Sequence, residues 1–492
     1  MDELTSIESA LQALALAGNV EVHEDGEWLA ELAGLRFEFR RQGNQALVHL
    51  WSEQRNLTRR VLRAVENSPA QLVLEVQRFG RPRSGRLSFI RADAPRPARR
   101  VSREQFRARF GRMLAEQFPD AQPASLSTAA DLSHSLSGNY TRGLLVEGNS
   151  SWAVMGVSSE EEASTIEGIL SFGLIWLDRS REQSQKRAVQ GLRLFVPEGA
   201  ARLPVERLHG LGTTARIEIY EFSPATWHAR RMPASDSGNI ESRLTPRREI
   251  EGALAAAREA IERIRGLSPE NIVASVAPGT REVALRFRGL EFARYGDGRI
   301  VFGIGGERDE LTSANRAKLE NLVKQLDLHR SSLARDSNHP LYRAAAERWL
   351  ETLVLSDPAR LDAQLDPHFL YSQTPALSAG DRGVMDLLGV TRAGRLVIIE
   401  LKASEDLHLP LQAVDYWLRV RAHHRDGDFP RYGYFSGVEL DPRPPLVWLV
   451  APGLRFHAAV EFVQRYLSPE IQLTRIGLNE NWRRGIQVVF RT

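Results

Sequence analysis

Gly383-Val384-Met385-Asp386-Leu387-Leu388-Gly389-Val390, a polar turn over Thr391–Arg395 containing Gly394, then Leu396-Val397-Ile398-Ile399-Glu400-Leu401-Lys402: this stretch decides the fold. Two apolar runs separated by five residues that include a glycine read as a β-hairpin. Runs this apolar on both faces belong inside a sheet. Pairing across a five-residue loop sets Val390 opposite Leu396 and Asp386 opposite Glu400, about 5 Å apart at Cβ. Lys402 then projects from the same face and Leu401 from the other. Adjacent carboxylates repel, and neither ionises readily without a cation between them. A hard divalent ion suits them, and magnesium commonly takes one or two carboxylates with water and phosphate. Such an ion acidifies bound water, while a nearby lysine can orient the nucleophile as its ammonium or deprotonate it as its free amine.

The surroundings agree with a phosphate-handling site. Leu409–Trp417 reads as a helix with Pro410 in its first turn. Gln412 and Tyr416 are one turn apart and share a face, near a helix start that favours anions. Upstream, Glu347 lies four residues before Glu351 on a predicted helix Leu341–Val354, where it can supply a further metal ligand or hold a water. Lysine is scarce. Of 65 basic residues only Lys186, Lys318, Lys324 and Lys402 are lysines, so the one at 402 marks a position where a compact ammonium is wanted. No lysine follows a glycine, which excludes a P-loop NTPase.

The order of Glu347 on a helix, Asp386 on a strand, a hairpin, Glu400-Leu401-Lys402, and a helix with Gln412 and Tyr416 resembles the PD-(D/E)XK nuclease superfamily. It looks most like the branch of bacterial recombination nucleases with an added Gln-three-residues-Tyr motif, and covers about 338–492. The resemblance implies a restriction-endonuclease-like mixed sheet flanked by helices, with DNA as substrate. It implies that Asp386 and Glu400, supported by Glu347, bind Mg2+ (or Mn2+ in its place), and that Lys402 assists the attacking water. Gln412 and Tyr416, with Arg382 as a further candidate, would contact phosphate. Met385 stands where the family's motif has proline.

The chain reads as an α/β (α+β) protein written twice. Gly34-Leu35-Arg36-Phe37, a turn at Gly43-Asn44, a strand Ala46–Leu50 and Leu57-Thr58 opening a helix are echoed later. The echo is Gly289-Leu290-Glu291-Phe292, Gly296-Asp297-Gly298, Ile300–Ile304 and Leu311-Thr312. Arg142-Gly143 matches Arg382-Gly383, and Leu194–Gly199 matches Trp448–Gly453. The expected order is a helix and hairpin-helix module (1–95), a degenerate nuclease-like domain (96–235), a bridging helix (240–268) from Thr245-Pro246 to Gly266, a second hairpin-helix module (269–335) and the nuclease domain (336–492). In the first half, Val146, Met155, Val157, Glu167 and Ser171 are expected where Asp386, Glu400, Lys402, Gln412 and Tyr416 stand in the second.

Composition excludes other classes. The 492 residues are 42% apolar and 26% charged with a formal charge of +3, an ordinary globular balance without a global field for nucleic acid. Without cysteine there is no disulfide framework, thiolate zinc site or cysteine nucleophile. Leu4, Ile7, Leu11 and Leu14 fall at helical spacing without a basic leader, so a cytoplasmic protein is expected, with no membrane segment. Eight arginines between Arg91 and Arg112 form a local basic excess. A homodimer, a partner ATPase or a purely non-catalytic nucleic-acid-binding role stays open.

Overall fold

In the computed structural model the described residues are all except 1–2, 18–19, 25–26, 33–35, 43–44, 52–55, 69–70, 78–83, 92–96, 132–133, 185–186, 235–243, 278–279, 306–307 and 373–384. Arg382 and Gly383, and the turn at Gly43-Asn44, lie outside them. The chain divides into two compact units, residues 1–102 with 303–309, and 103–302 with 310–492.

In the first unit the helix Glu3–Ala17 packs Ile7, Leu11 and Leu14 into the core of a seven-stranded antiparallel sheet. Leu57-Thr58 does not open a helix, because Asn56–Asn67 is a strand paired on both sides. The reason is local. Register shifts between Val61 and Arg63 and between Ala64 and Glu66 place core-facing Leu57, Val61 and Ala64 at steps of four and three, a helical spacing produced by bulges.

The second unit holds three sheets. The first has six strands: β1 (Gln122–Ser127), β2 (Tyr140–Glu147), β3 (Ser150–Val157), β4 (Ala188–Pro197), β5 (Arg216–Phe222) and β6 (Ala229–Arg231). Its order follows the chain; β3, β4 and β5 run parallel and the other neighbours antiparallel. Helix α1 (Ile169–Gln183) connects β3 to β4, and α2 (Arg202–Leu208) connects β4 to β5. Strands β7 (Ile272–Val276), β8 (Val283–Phe287), β9 (Leu290–Gly296) and β10 (Arg299–Phe302) follow as an antiparallel meander, its Asp297-Gly298 turn in the left-handed region. The next helix begins at Arg316, after Thr312 and not at it; the Thr312 N–H donates to Asn315 Oδ1.

The last sheet comprises β11 (Leu365–Ser372), β12 (Leu387–Thr391), β13 (Leu396–Leu401), β14 (Leu446–Pro452), β15 (Leu473–Leu478) and β16 (Val488–Arg491). Its order and its succession of antiparallel, antiparallel, parallel, parallel and antiparallel neighbours repeat those of β1–β6. Helix α3 (Ala346–Ser356) precedes it, α4 (Leu409–Arg425) connects β13 to β14, and α5 (Ala459–Gln464) connects β14 to β15. The predicted helix Leu341–Val354 is therefore broken: Pro340–Arg343 is one short helix, and Ala345, at φ +45°, separates it from α3. The bridging helix is likewise two, Arg247–Ala256 and Arg258–Arg265, parted at Ala257.

One continuous core joins the two six-stranded sheets through their connecting helices. Helix α1 packs on α5, and α4 on α2. Reciprocal backbone bonds link Gly212 to Tyr466 (2.8 Å) and Ser468 to Gly210 (2.9 Å) around a Leu211–Leu467 bridge. Arg207 of α2 grips Asp415 of α4 with two bonds of 3.0 and 2.8 Å, both groups buried.

Candidate active site

The hairpin register is the one the loop length implies. Leu387 pairs with Ile399 and Val390 with Leu396, so Asp386, just before β12, is in line with Glu400. Gly394 in the turn has φ +80°, and its position abuts Glu439 O, so only glycine fits. The face shared by Leu388, Val390, Leu396 and Ile398 packs into the core under α4, and the opposite face under α3. Asp386 and Glu400 share the parity of the α4 face.

Both carboxylates are buried, at 8% and 4% exposure. Asp386 Oδ2 accepts the Leu401 N–H at 2.9 Å, and its Oδ1 lies 3.3 Å from Arg348 Nη1. Glu400 Oε2 is buried with no hydrogen-bond partner. Burial pushes the Asp386 pKa up to about 6, against the pull of Arg348 and the Leu401 N–H and with the help of Glu351 and Glu347. Burial, and then the charge of Asp386, drive Glu400 well above the usual carboxylate range, with Lys402 and Arg348 opposing.

Lys402 follows the strand, its N–H bonded to Val450 O at 2.9 Å and its Nζ 3.4 Å from Asp406. Burial works to lower its pKa, but the carboxylates of Glu400, Glu347, Asp406 and Asp386 prevail and raise it. The ammonium is therefore charged at neutral pH. Glu347, in the first turn of α3, acts electrostatically on Asp386, Glu400 and Lys402 together. Tyr416 is on α4 where burial, then the charges of Glu400 and Asp386, raise its phenol's pKa. Gln412 is half-buried one turn before it.

Three residues that sequence reasoning did not assign to the site surround it. Arg348 donates to Glu351 at 2.6 Å and reaches Asp386, its only signal being the (i, i+3) spacing to a glutamate. Asp406 partners Lys402. His408, at the start of α4, has Nδ1 2.9 Å from Ser171 Oγ of α1, and burial lowers its pKa. The adjacent histidines of α4 turn apart, His423 to Asp428 and His424 to Asp441 O. In the arginine-rich segment, Arg103 pairs with Glu161 and Arg107 with Glu104, which reduces the basic excess.

The carboxylates' environment fits a divalent cation, because an orphaned buried carboxylate oxygen and two raised pKa values are what a cation between them relieves. Among the described residues, no three histidine or carboxylate side chains are already gathered closely enough to form a metal site by themselves.

The first sheet permits a positional comparison. Met155 pairs with Leu194 in parallel register and faces α1, as Glu400 pairs with Leu449 beneath α4. Met155 and Val157 thus occupy the positions of Glu400 and Lys402. The antiparallel partner of Met155 is Arg142, so Arg142 and not Val146 takes the place of Asp386. The shift arises because the first hairpin turns through Gly148-Asn149, whereas the second uses five residues. No protein-family model and no curated protein matches this chain. No helix among the described residues is long and apolar enough to cross a membrane.

Proposed function

We propose that this protein is a magnesium-dependent nuclease of the PD-(D/E)XK type that hydrolyses DNA phosphodiesters with water, and that its halves are two copies of one plan, the first without catalytic groups. The observation that carries this reading is the buried, register-matched pair Asp386 and Glu400, with an unpartnered Glu400 oxygen and a charged Lys402 on the same face. Asp386 and Glu400 would hold the ion, with Glu347, whose charge acts on both, as a further candidate ligand. When bound, Mg2+ supplies Lewis acidity and a more acidic water.

The chain's own groups do the rest. Lys402 is protonated at neutral pH, so it orients the attacking water and offsets charge on the phosphate and is not the base. Tyr416 keeps its proton and can donate to a phosphate oxygen, and Gln412 supplies an amide on the same face. The start of α4 adds backbone N–H groups that favour an anion. Linear duplex, plasmid and single-stranded DNA incubated with Mg2+, with Mn2+ and with chelator test the reading. Cleavage that requires the metal and disappears in Glu400→Gln is expected; none with any substrate or metal overturns it.

A non-catalytic nucleic-acid-binding role is the second reading. It is favoured by Arg348, whose guanidinium already offsets Asp386 where a metal would. DNA binding without metal-dependent cleavage would select it.

A further inference from the structure

We propose that Arg330 is a positioning residue of the candidate site: its guanidinium sets the chain break from which α3 starts, and so fixes where Glu347 and Arg348 stand. This rests on the nuclease reading above.

Arg330 ends the helix Arg316–His329 and is fully buried, yet among the described residues no carboxylate forms an ion pair with its guanidinium. Its donors go to backbone carbonyls instead. Nε reaches Phe287 O (3.1 Å) and Arg288 O (3.2 Å), and Nη2 reaches Arg288 O (2.9 Å) and Ala345 O (3.2 Å). Nη1 donates to Leu341 O (2.7 Å) and Ala344 O (2.5 Å). The planar group also lies 4.8 Å from the centre of the Trp349 ring. One rigid fork therefore clamps the end of β8 to both sides of the break between Pro340–Arg343 and α3.

The clamped residue is the strained one. Ala345 sits at φ +45°, a region alanine avoids, and Glu347 is two residues on. A second contact closes the same joint: in the turn between β8 and β9, Gly289 has φ +84°, and a Cβ there would lie 2.2 Å from Arg348 O. Burial, with the charges of Arg483 and Arg288, lowers the Arg330 pKa to about 9, so a costly cation is kept where only its geometry is used. The meander β7–β10 is accordingly part of the site's support and not a separate appendage.

Arg330→Lys keeps the charge and the ring contact but loses the fork, which makes it the discriminating variant. Measured well below the melting temperature, amides 349–351, the first of α3 whose N–H groups are bonded, should exchange about tenfold faster while those of β12 and β13 stay protected. The Mg2+ concentration giving half-maximal thermal stabilisation should rise about tenfold, and kcat fall by a similar factor with KM for DNA within about twofold. If Arg330→Lys does not fold, it is compared in an Ala345→Gly background, where the left-handed residue has no steric cost, against Ala345→Gly alone. Native exchange at 349–351 together with a native Mg2+ midpoint overturns the proposal. Wild-type protein that neither cleaves DNA nor responds to Mg2+ overturns the nuclease reading instead, and the exchange result still decides whether Arg330 positions α3.

Discussion

The sheets β1–β6 and β11–β16 share order, direction and connecting helices, and differ in what one face holds at one place. In β11–β16 that place has Asp386, Glu400 and Lys402; in β1–β6 it has Arg142, Met155 and Val157. Arg142 is buried but satisfied: it donates to Ala129 O and Ser137 O, and its guanidinium lies 5.8 Å from the Trp176 ring centre. Met155 and Val157 are fully buried core residues. At this place the first sheet holds no carboxylate, while the second keeps a buried carboxylate oxygen unpartnered, which costs stability; the unpartnered buried atoms of the first sheet, Thr141 Oγ1, Ser151 Oγ and Trp152 Nε1, belong to uncharged groups. A destabilised pair of carboxylates on an otherwise repeated frame supports the proposal that this place serves a function.

The sharpest way to break this comparison is to remove one side chain from each face. Lys402→Ala should lower Mg2+-dependent cleavage by about 10³-fold, as loss of a preorganised group that stabilises transition-state charge does. Val157→Ala should leave cleavage within about twofold and cost about 1–2 kcal/mol of stability as a core truncation. Cleavage that survives Lys402→Ala but disappears on altering Glu160 or Glu161 would move the chemistry to the first half.

Next in size is the joint between the halves. Arg207→Ala leaves Asp415 buried without its two bonds, and should cost about 3–5 kcal/mol in denaturant unfolding. Because one core spans both sheets, the loss should appear as one transition moved to lower denaturant. Two separated transitions would show that the halves fold independently.

The acid pair makes a smaller, pH-dependent difference. Asp386 is raised to about 6 and Glu400 well above its usual value, so the folded state holds protons that the unfolded chain has released. Stability of the metal-free protein should therefore fall as pH rises from about 4, the range in which unfolded carboxyls ionise, through 6 and beyond. Asp386→Asn and Glu400→Gln should each raise the melting temperature at pH 7 and flatten this dependence, whereas Met155→Leu should leave its slope unchanged. Mg2+ should offset the loss in wild type, by about 2.7 kcal/mol at a hundred times its Kd, and not in Asp386→Ala.

Much of this was legible in the residues. The five-residue loop alone implied the register that aligns Asp386 with Glu400, because a short turn leaves few ways to pair two apolar strands. What escaped reading depended on partners distant in sequence or on local irregularity. The bulges in Asn56–Asn67 imitate a helical period. The break at Ala345 has no glycine or proline at the residue itself, and its cause, Arg330, is an arginine among 61. Arg142 was obscured because the two hairpins turn through loops of different length, so matching the Arg-Gly pairs misplaces the register.

The smallest difference, between α4 and α1, would separate the proposed phosphate contact from a packing contact. Tyr416 keeps its phenolic proton beside the acid pair, and Phe would preserve the ring while removing the donor. Tyr416→Phe should reduce kcat/KM about tenfold, the worth of one hydrogen bond to a charged oxygen, with little change in melting temperature. On α1 the residue expected at the matching place, Ser171, is fully buried and bonds His408 across the joint. Ser171→Ala should cost about 1 kcal/mol of stability and leave kcat/KM within about twofold. The reverse result, a kinetic loss at Ser171 and none at Tyr416, would mean that α4 does not present its phenol to the substrate and that the His408 joint is part of the catalytic apparatus.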